Sequence, residues 1–416
     1  MTNPANLPAG EATAEVAELR DEVEQVIRAW HAHEAGRGGE AVIDYDCAPT
    51  DQPATPAAGR LDVYDQFTQL SHRAAGLGDQ AADVSDVIRA HHAYLAAVLG
   101  HSTPLDQYVY ETQGCSAGGW TEDYLDDVRD QAVKAIGDLG IPWGADLNKQ
   151  LNELEQPVTS DEAAEQIPAF ARSLDPALRE LVETTAPYDV TVEVTDVDDY
   201  WAYWLDGAGP NVRLRFNRRN ATFTQVQVRQ FAMHELLGHA VQFASYAQVC
   251  TTTNVPWVRL LSVNAPYQVT FEGLAQAMPL FLAPDDRQVI ARVRLTHYLQ
   301  LVRAELHQAI NQGVSIAECA DHARSRVPFW TSAGIGDMLT GRGSNPLLRS
   351  YLWAYPAGID WWVNLADNAD PETRKQTLRA AYQRPLTPSH LAGLWPHGPS
   401  IGGPGAPVRL RKPSLP

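Results

Sequence analysis

Residues that could bind a metal ion stand together at His234-Glu235-Leu236-Leu237-Gly238-His239. This is an H-E-x-x-x-H pattern, one residue longer than the H-E-x-x-H of the familiar zinc-binding helix. In an α-helix, residues i and i+4 share a face, whereas residue i+5 points well away from it. Both imidazoles can reach one ion only if the helix loosens locally. The spacing therefore predicts a π-type bulge, which Gly238 would make easier to form.

Two histidines need a third protein ligand, and Glu272 is the candidate. It lies in the apolar, helix-forming stretch Thr270-Phe-Glu272-Gly-Leu-Ala-Gln276. Two His and one Glu, with one position left open for water, is the ligand pattern of catalytic zinc sites. Zinc lowers the pKa of its water and polarises a carbonyl group. Glu235, adjacent to the first ligand without being one, would then act as the base.

This set of residues favours a zinc-dependent hydrolase that cleaves a peptide or peptide-like amide bond. Two other classes of protein stay open. Two His and one carboxylate also suit non-haem iron, so a metal-dependent tailoring enzyme of secondary metabolism that is not a peptidase is one alternative. An inactive binding protein that keeps a metallopeptidase fold is the other. Metal analysis of the purified protein separates the three classes.

The motifs resemble those of known metallopeptidases. His-Glu-Leu-Leu-Gly-His matches the metal motif of the dipeptidyl peptidase III family. Over about residues 185–365 the chain is similar to a bacterial family of uncharacterised gluzincin-type zinc carboxypeptidases, domain of unknown function 885. The shared motifs are G-H-x-x-Q, here 238–242, and E-G-x-A, here 272–275, with a weaker R-Y…P-G segment at 349–358. The resemblance implies a two-lobed helical clam shell, with zinc at the floor of a central cleft and a carboxypeptidase-like activity.

The same resemblance suggests which residues assist the reaction. Gluzincins of this type use a Tyr or His from a later helix to stabilise the oxyanion, and Tyr351 and Tyr355 are the first candidates here. His307, with His322, stands behind them. Arg349, next to Tyr351 in the sequence, is the candidate for binding a substrate carboxylate, because a guanidinium can hold a carboxylate with two hydrogen bonds.

The elements around these residues predict a mostly α fold with a small β-sheet next to the metal helix. Apolar periodicity predicts helices over residues 11–33, 61–100, 119–139, 161–181 (capped by Ser160) and 287–311. Alternating residues predict strands at 188–195 and 211–217, and the second strand could pair with an extended peptide. A T-x-x-Q capping box, Thr224 to Gln227, starts the metal helix.

This pattern divides the chain into three parts. We expect a helical N-terminal lobe over 1–185, a metallopeptidase-like catalytic lobe over 186–397, and a loose Gly/Pro-rich tail over 398–416.

Charge is distributed unevenly in this chain of 416 residues with a net charge of −19. Residues 1–200 hold 38 acidic and 11 basic side chains, a balance of −27, whereas residues 201–416 hold 13 and 21, a balance of +8. The acidic half argues against a nucleic acid partner, and the basic half favours a substrate with a free carboxylate.

No segment has the pattern of a signal peptide or a membrane span, and the four cysteines are scattered, so a cytosolic location is expected. The oligomeric state is left open.

Overall fold

The structure, a computed structural model, describes residues 11–198 and 202–410. It is mostly α-helical with a small mixed sheet, as the sequence predicts. In chain order the α-helices are α1 Ala14–Ala35, α2 Arg60–Leu77, α3 Ala82–Val98, α4 Leu105–Gln113, α5 Glu122–Gly137, α6 Leu147–Glu155, α7 Ser160–Val182, α8 Gln225–Phe231, α9 Val241–Thr252, α10 Gln268–Ala277, α11 Pro279–Leu282, α12 Arg287–Asn311, α13 Ile316–Arg326, α14 Ser332–Leu339, α15 Pro346–Asn368, α16 Pro371–Gln383 and α17 Pro388–Leu394. A 3-10 turn, Gly78–Ala81, joins α2 to α3, and a π-helical segment, Ala232–Ala240, joins α8 to α9.

The strands form two sheets and are β1 Tyr45–Asp46, β2 Pro157–Val158, β3 Asp189–Thr195, β4 Tyr203–Ala208, β5 Asn211–Asn217, β6 Phe223–Thr224 and β7 Leu260–Leu261. The larger sheet has the order β3-β5-β4-β1-β7, and β2 pairs with β6. Strand β5 is parallel to β3 and antiparallel to β4. Both of its edges are therefore paired, and the prediction that strand 211–217 binds an extended peptide is wrong.

The sheet packs through aromatic side chains against α8, which leads into the π-helical segment that contains His234. Phe216 of β5 packs on Phe223 of β6, with ring centroids 5.3 Å apart, and on Phe231 of α8, at 5.7 Å. Tyr203 of β4 joins the same cluster, 4.7 Å from Phe231. Edge-to-face aromatic packing of this kind adds to the stabilisation that burial gives. This aromatic cluster packs α8 against the sheet.

Helix α10 crosses α15 at a point where neither helix has a side chain. A Cβ atom added to Gly273 would overlap the backbone of Gly358, and one added to Gly358 would overlap the carbonyl of Val269. Only glycine at both positions lets the two backbones approach this closely. These are the glycines of the E-G-x-A motif and of the P-A-G sequence in α15. The crossing places Glu272 beside the tyrosines of α15.

Most of the predicted elements are present, and one cap differs. Helix α12 has the predicted bounds, and β3 lies within the predicted range. Helix α7 is capped by Thr159 and not by Ser160, because Thr159 and Glu162 exchange hydrogen bonds in a capping box. Ser160 is the first residue of the helix, and its hydroxyl donates to the carbonyl of Ala221.

The hydrophobic core connects the ranges that the sequence suggested as separate lobes. One cluster of buried residues runs from Val16 in α1 to Leu391 in α17. A second joins residues of α5 and α6 to α12 and α15. Each cluster thus draws on both 1–185 and 186–397. The two-lobed clam shell stays a prediction.

The C-terminal tail is not loose over its first residues. The amides of Ser116 and Gly119 donate to the carbonyls of Ile401 and Gly402, and the amide of Ala406 donates to Gly118. Gly402 and Gly403 have φ angles of 85° and 94°, which glycine adopts without strain. The glycines that suggested flexibility instead allow a close backbone approach. Residues 411–416 of the predicted tail lie outside the described residues.

Within 11–198 and 202–410, no helix is both long and apolar enough to cross a membrane. The cytosolic location stays a prediction.

Candidate metal centre

The π-helical segment brings the two histidines of the motif together. It covers Ala232–Ala240 and thus contains both His234 and His239. Their Nε2 atoms are 3.2 Å apart, although the residues are five positions apart in the chain. The bulge that the spacing predicts is confirmed. So is the capping box that starts the helix, since Thr224 and Gln227 exchange hydrogen bonds.

Gly238 has a second purpose besides easing the bulge. A Cβ atom at this position would lie 3.0 Å from the Cβ of Ala275 and 3.2 Å from its Cα. These distances are tighter than ordinary side-chain packing, so a larger residue would push α10 away from the π-helical segment. Glu272 is carried by α10. The small residues Gly238 and Ala275 therefore set the distance between the two elements that bear the candidate ligands.

Glu272 completes a group of three metal-binding side chains. Its Oε2 lies 3.6 Å from Nε2 of His234, and the candidate ligand atoms of His234, His239 and Glu272 all lie within 4.8 Å of one another. Two imidazole nitrogens bound to one tetrahedral zinc at about 2.0–2.1 Å are about 3.3 Å apart. The observed nitrogen separation fits that geometry. The donor set therefore fits Zn²⁺.

One oxygen among these side chains has no hydrogen-bond partner, which is what a cation-binding group would show before the cation is bound. Oε2 of Glu272 is buried and has no hydrogen-bond partner, while Oε1 accepts a hydrogen bond of 2.5 Å from Tyr351. A buried carboxylate oxygen without a partner is costly. A metal ion would satisfy it. His239 is held in place by Phe243, whose ring stacks on the imidazole with centroids 5.6 Å apart.

Glu235 lies beside the ligands. Its Oε1 is 3.8 Å from Nε2 of His234, and its side chain is 13% exposed. A carboxylate in this position is close enough to reach a water molecule at the centre, which is the requirement for a general base. The carboxylate is thus largely buried and keeps a small part of its surface accessible to solvent.

Burial shifts the pKa values of all four groups toward their neutral forms. It lowers the pKa of His234 to about 4 and that of His239 well below its usual value, with His234 adding to the second shift. It raises the pKa of Glu235 to about 8, helped by Glu272, and that of Glu272 to about 7, against the hydrogen bond from Tyr351. Neutral imidazoles are the form that binds metal.

Tyr351 and Tyr355 are both at the centre. The hydroxyl of Tyr351 donates to Glu272, so the hydroxyl of Tyr355 donates to Tyr351, 2.7 Å away. Burial and the nearby Glu272 hold the pKa of both phenols well above the usual value, so both keep their protons. Tyr351 orients the candidate ligand. Tyr355 also lies within electrostatic range of Glu235.

Arg349 is occupied by the protein itself. Its Nε donates to Asn311 at 2.7 Å, its Nη2 donates to the carbonyl of Thr103 at 2.8 Å, and the guanidinium lies 5.3 Å from the ring centre of Tyr108. These contacts join α15 to α4 and α12. These contacts indicate that Arg349 stabilises the packing of α15, and they do not support the carboxylate-binding role that the sequence suggested.

The two candidate histidines also have structural partners. His307 is fully buried, accepts a hydrogen bond at Nδ1 from Arg342 and packs on Trp353. His322 is bonded to Glu305 at 3.1 Å. Neither histidine contacts the ligand group in the part of the chain that the structure describes. Their location gives no support to an oxyanion role, which a Tyr at the centre can fill.

Sequence reasoning missed one residue near the site. Arg303 lies on α12, within electrostatic range of Tyr355. No motif marks Arg303, because α12 contains several arginines and the sequence does not show which of them are paired with carboxylates. The signal is three-dimensional: Arg292 and Arg294 of this helix pair with carboxylates, and among the described residues Arg303 has no such partner.

Comparisons with known proteins give a likeness of fold. No family model matches the chain, and no curated protein matches it. A solved structure described as "putative lipoprotein from Colwellia psychrerythraea" superposes with a TM-score of 0.51 at 12% sequence identity. The match covers 83% of this chain and 63% of that one, so the chain spans less than two thirds of the neighbour's length. The described fold is therefore similar to one seen by experiment, and the chemistry has to be argued from the site.

Proposed function

We propose that the protein is a zinc-dependent hydrolase that cleaves a peptide or peptide-like amide bond, with His234, His239 and Glu272 as the metal ligands. One observation carries the proposal: three groups that can donate electron pairs converge within 4.8 Å, and one carboxylate oxygen among them has no partner. A carboxypeptidase-like activity and membership of the gluzincin-type family are part of the same proposal, supported by the motifs at 234–242 and 272–275.

Glu235 moves the proton in this reaction. Zn²⁺, when bound, supplies a Lewis acid that polarises the substrate carbonyl and makes water more acidic. Glu235 takes a proton from the attacking water as the water oxygen bonds to the carbonyl carbon. It returns that proton to the nitrogen as the carbon–nitrogen bond breaks, which leaves a carboxylic acid and an amine. The 3.8 Å between Glu235 and His234 supports this assignment.

The two tyrosines have different tasks. Tyr351 holds Glu272 in place by donating to Oε1, so it is a positioning residue. Tyr355 keeps its proton, and its hydroxyl can turn from Tyr351 to the oxygen of the substrate carbonyl, where negative charge develops. Tyr355 is thus the oxyanion residue of the proposal.

The test pairs a metal analysis with a peptide-library digest read by mass spectrometry, on wild-type protein and on Glu235→Gln. We expect about one zinc per chain in both proteins and cleavage by the wild type alone. Loss of a general base typically lowers turnover by about 10²–10⁴-fold. Turnover of Glu235→Gln within a few-fold of wild type would rule out this mechanism.

The same experiment separates the alternatives. Tightly bound iron with an oxygen-dependent reaction would point to the non-peptidase tailoring enzyme. Protein that binds no metal when zinc is supplied would be the inactive binding protein. Comparison of a free-acid peptide with its C-terminal amide then tests the carboxypeptidase-like reading, because a carboxypeptidase cleaves the amide poorly and an endopeptidase or amidase cleaves both.

A further inference from the structure

Arg303 is a partly buried positive charge with no carboxylate partner among the described residues. It lies on α12, partly accessible to solvent, and desolvation lowers its pKa. Its guanidinium carbon is 5.8 Å from the ring centre of Trp330. A desolvated charge without a counter-charge is costly, and an anionic ligand would offset that cost.

Arg342, beside Arg303, also keeps a donor without a partner. It uses Nε to donate to the carbonyl of Met338 and Nη1 to donate to Nδ1 of His307, which leaves Nη2 free among the described residues. His307 lies one turn after Arg303 on α12, so its contact with Arg342 brings Arg342 next to this part of the helix. Two guanidinium groups therefore have donors here without a carboxylate partner.

Like charges repel in this cluster. Arg303 and Arg342 are close enough to interact, and burial together with Arg303 lowers the pKa of Arg342 to about 9. Elsewhere on α12, arginines are paired: Arg292 with Glu155 at 2.6 Å and Arg294 with Asp367 at 2.6 Å. Among the described residues, the lack of a paired carboxylate thus distinguishes Arg303 from Arg292 and Arg294 of the same helix.

The cluster adjoins the metal centre through a short chain of contacts. Gln276 donates to the backbone carbonyl of Glu272 at 2.9 Å, and Gln300 donates to Gln276 at 3.3 Å. Gln300 is one turn before Arg303 on α12. Tyr355, which is hydrogen-bonded to Tyr351 at the centre, lies within electrostatic range of Arg303. These contacts link the arginine cluster to the metal centre.

We propose that Arg303 and Arg342 bind an oxyanion group of the substrate, a carboxylate or a phosphate, next to the metal centre. The word substrate rests on the proposed hydrolase function, whereas the anion site rests only on the unpaired donors. Guanidinium groups suit this task because their planar donors match two oxygens of a carboxylate or phosphate. This assignment moves the anion-binding role from Arg349, whose Nε and Nη2 donate to Asn311 and Thr103, to Arg303 and Arg342.

The test measures binding of succinate and of inorganic phosphate by calorimetry at constant ionic strength. It uses Glu235→Gln as the background, so that no turnover occurs, and compares it with the same protein carrying Arg303→Gln. We expect Arg303→Gln to weaken binding of the preferred anion by roughly 10- to 100-fold, the effect of losing a charged hydrogen bond. Zinc content should not change. Preference for succinate assigns a carboxylate site, and preference for phosphate assigns a phosphate site.

Arg294→Gln is the matched control, because Arg294 lies on the same helix and is paired with Asp367. It should bind the anion as the background protein does. A stability measurement adds a second reading: in anion-free buffer, Arg303→Gln should unfold at the same temperature as the background protein or higher, since it removes an unpaired charge. Equal binding with and without Arg303, no binding of either anion, or a clear loss of stability in Arg303→Gln would overturn the proposal.

These outcomes are distinct from failure of the proposed function. A protein that binds the anion through Arg303 but holds no metal would keep the anion site and lose the hydrolase. A zinc hydrolase whose anion binding is unchanged in Arg303→Gln would keep the function and lose the site.

Discussion

The proposed metal centre and a second buried cluster, around Asp360, both contain His and Tyr side chains and a carboxylate but have opposite hydrogen-bonding patterns. At Asp360, Trp120 donates to Oδ2 at 2.7 Å, Tyr124 donates to Oδ1 at 2.6 Å, and His297 lies 2.8 Å from Oδ1. Both carboxylate oxygens are satisfied by the protein. At the metal centre, Oε2 of Glu272 faces two imidazoles and has no donor.

The difference separates a buried carboxylate that is satisfied within the protein from one that is not. A carboxylate surrounded by donors ties α5, α12 and α15 together and needs nothing from outside. A carboxylate that shares its site with other electron-pair donors needs a cation. Arg303 and Arg342 are the reverse case, since donors gather there without an acceptor. All three places contain ionisable side chains, and the balance of hydrogen-bond donors and acceptors is what separates them.

The largest effect on stability is expected from Asp360→Ala. It would leave the buried donors of Trp120, Tyr124 and His297 without an acceptor, and breaking a buried charged network typically costs about 3–5 kcal/mol. Denaturant unfolding measures this loss. Asp370→Ala, which removes the cap of α16, is the control and should cost about 1 kcal/mol. Equal losses in the two variants would mean that the Asp360 cluster is not the tie described here.

Zinc should stabilise the protein through Glu272 and not through Asp360. A ligand that binds only the folded state adds about 2.7 kcal/mol at a concentration 100 times its dissociation constant. Thermal unfolding with zinc and with a chelator measures the shift. We expect zinc to raise the melting temperature of the wild type and to leave that of Glu272→Ala unchanged. An unchanged zinc shift in Glu272→Ala would remove the contrast between the two clusters.

A smaller effect is expected from Tyr351→Phe, which removes the hydrogen bond to Oε1 of Glu272. Loss of a group that orients a metal ligand typically weakens metal affinity by about 10–100-fold. Competition with a chelator of known affinity measures this change. Tyr124→Phe removes a comparable hydrogen bond at Asp360 and should leave zinc affinity as it is. If both variants bind zinc like wild type, Tyr351 does not position the ligand.

The sequence predicts the parts of the site that depend on neighbours in the chain. The five-residue spacing of His234 and His239 requires a bulge, and the segment is π-helical. The T-x-x-Q pattern requires a cap, and Thr224 provides it. Both follow from backbone geometry within one or two turns, so one sequence contains enough information. The pairing of these histidines with Glu272 also follows, because few acidic residues are present in the C-terminal half.

The sequence does not predict features that depend on which distant residues meet. The residues next to Arg349 in the chain do not indicate that it donates hydrogen bonds to Thr103 and Asn311. Likewise, the residues next to Arg303 do not indicate that it lacks a carboxylate partner among the described residues. The glycines at 402 and 403 suggested a loose tail, yet they allow a tight backbone contact with 116–119. A glycine permits flexibility and close approach equally, and only the fold decides between them.

The most direct test of the central claim is the zinc content of His239→Ala beside that of the wild type. His101→Ala serves as the control, because His101 is exposed and lies outside the ligand group. Each protein is purified with zinc supplied, dialysed and analysed for metal by mass spectrometry, and circular dichroism checks that the fold is retained. The account predicts about one zinc per chain in wild type and His101→Ala, and almost none in folded His239→Ala. Full zinc occupancy in His239→Ala would contradict the assignment of the metal centre.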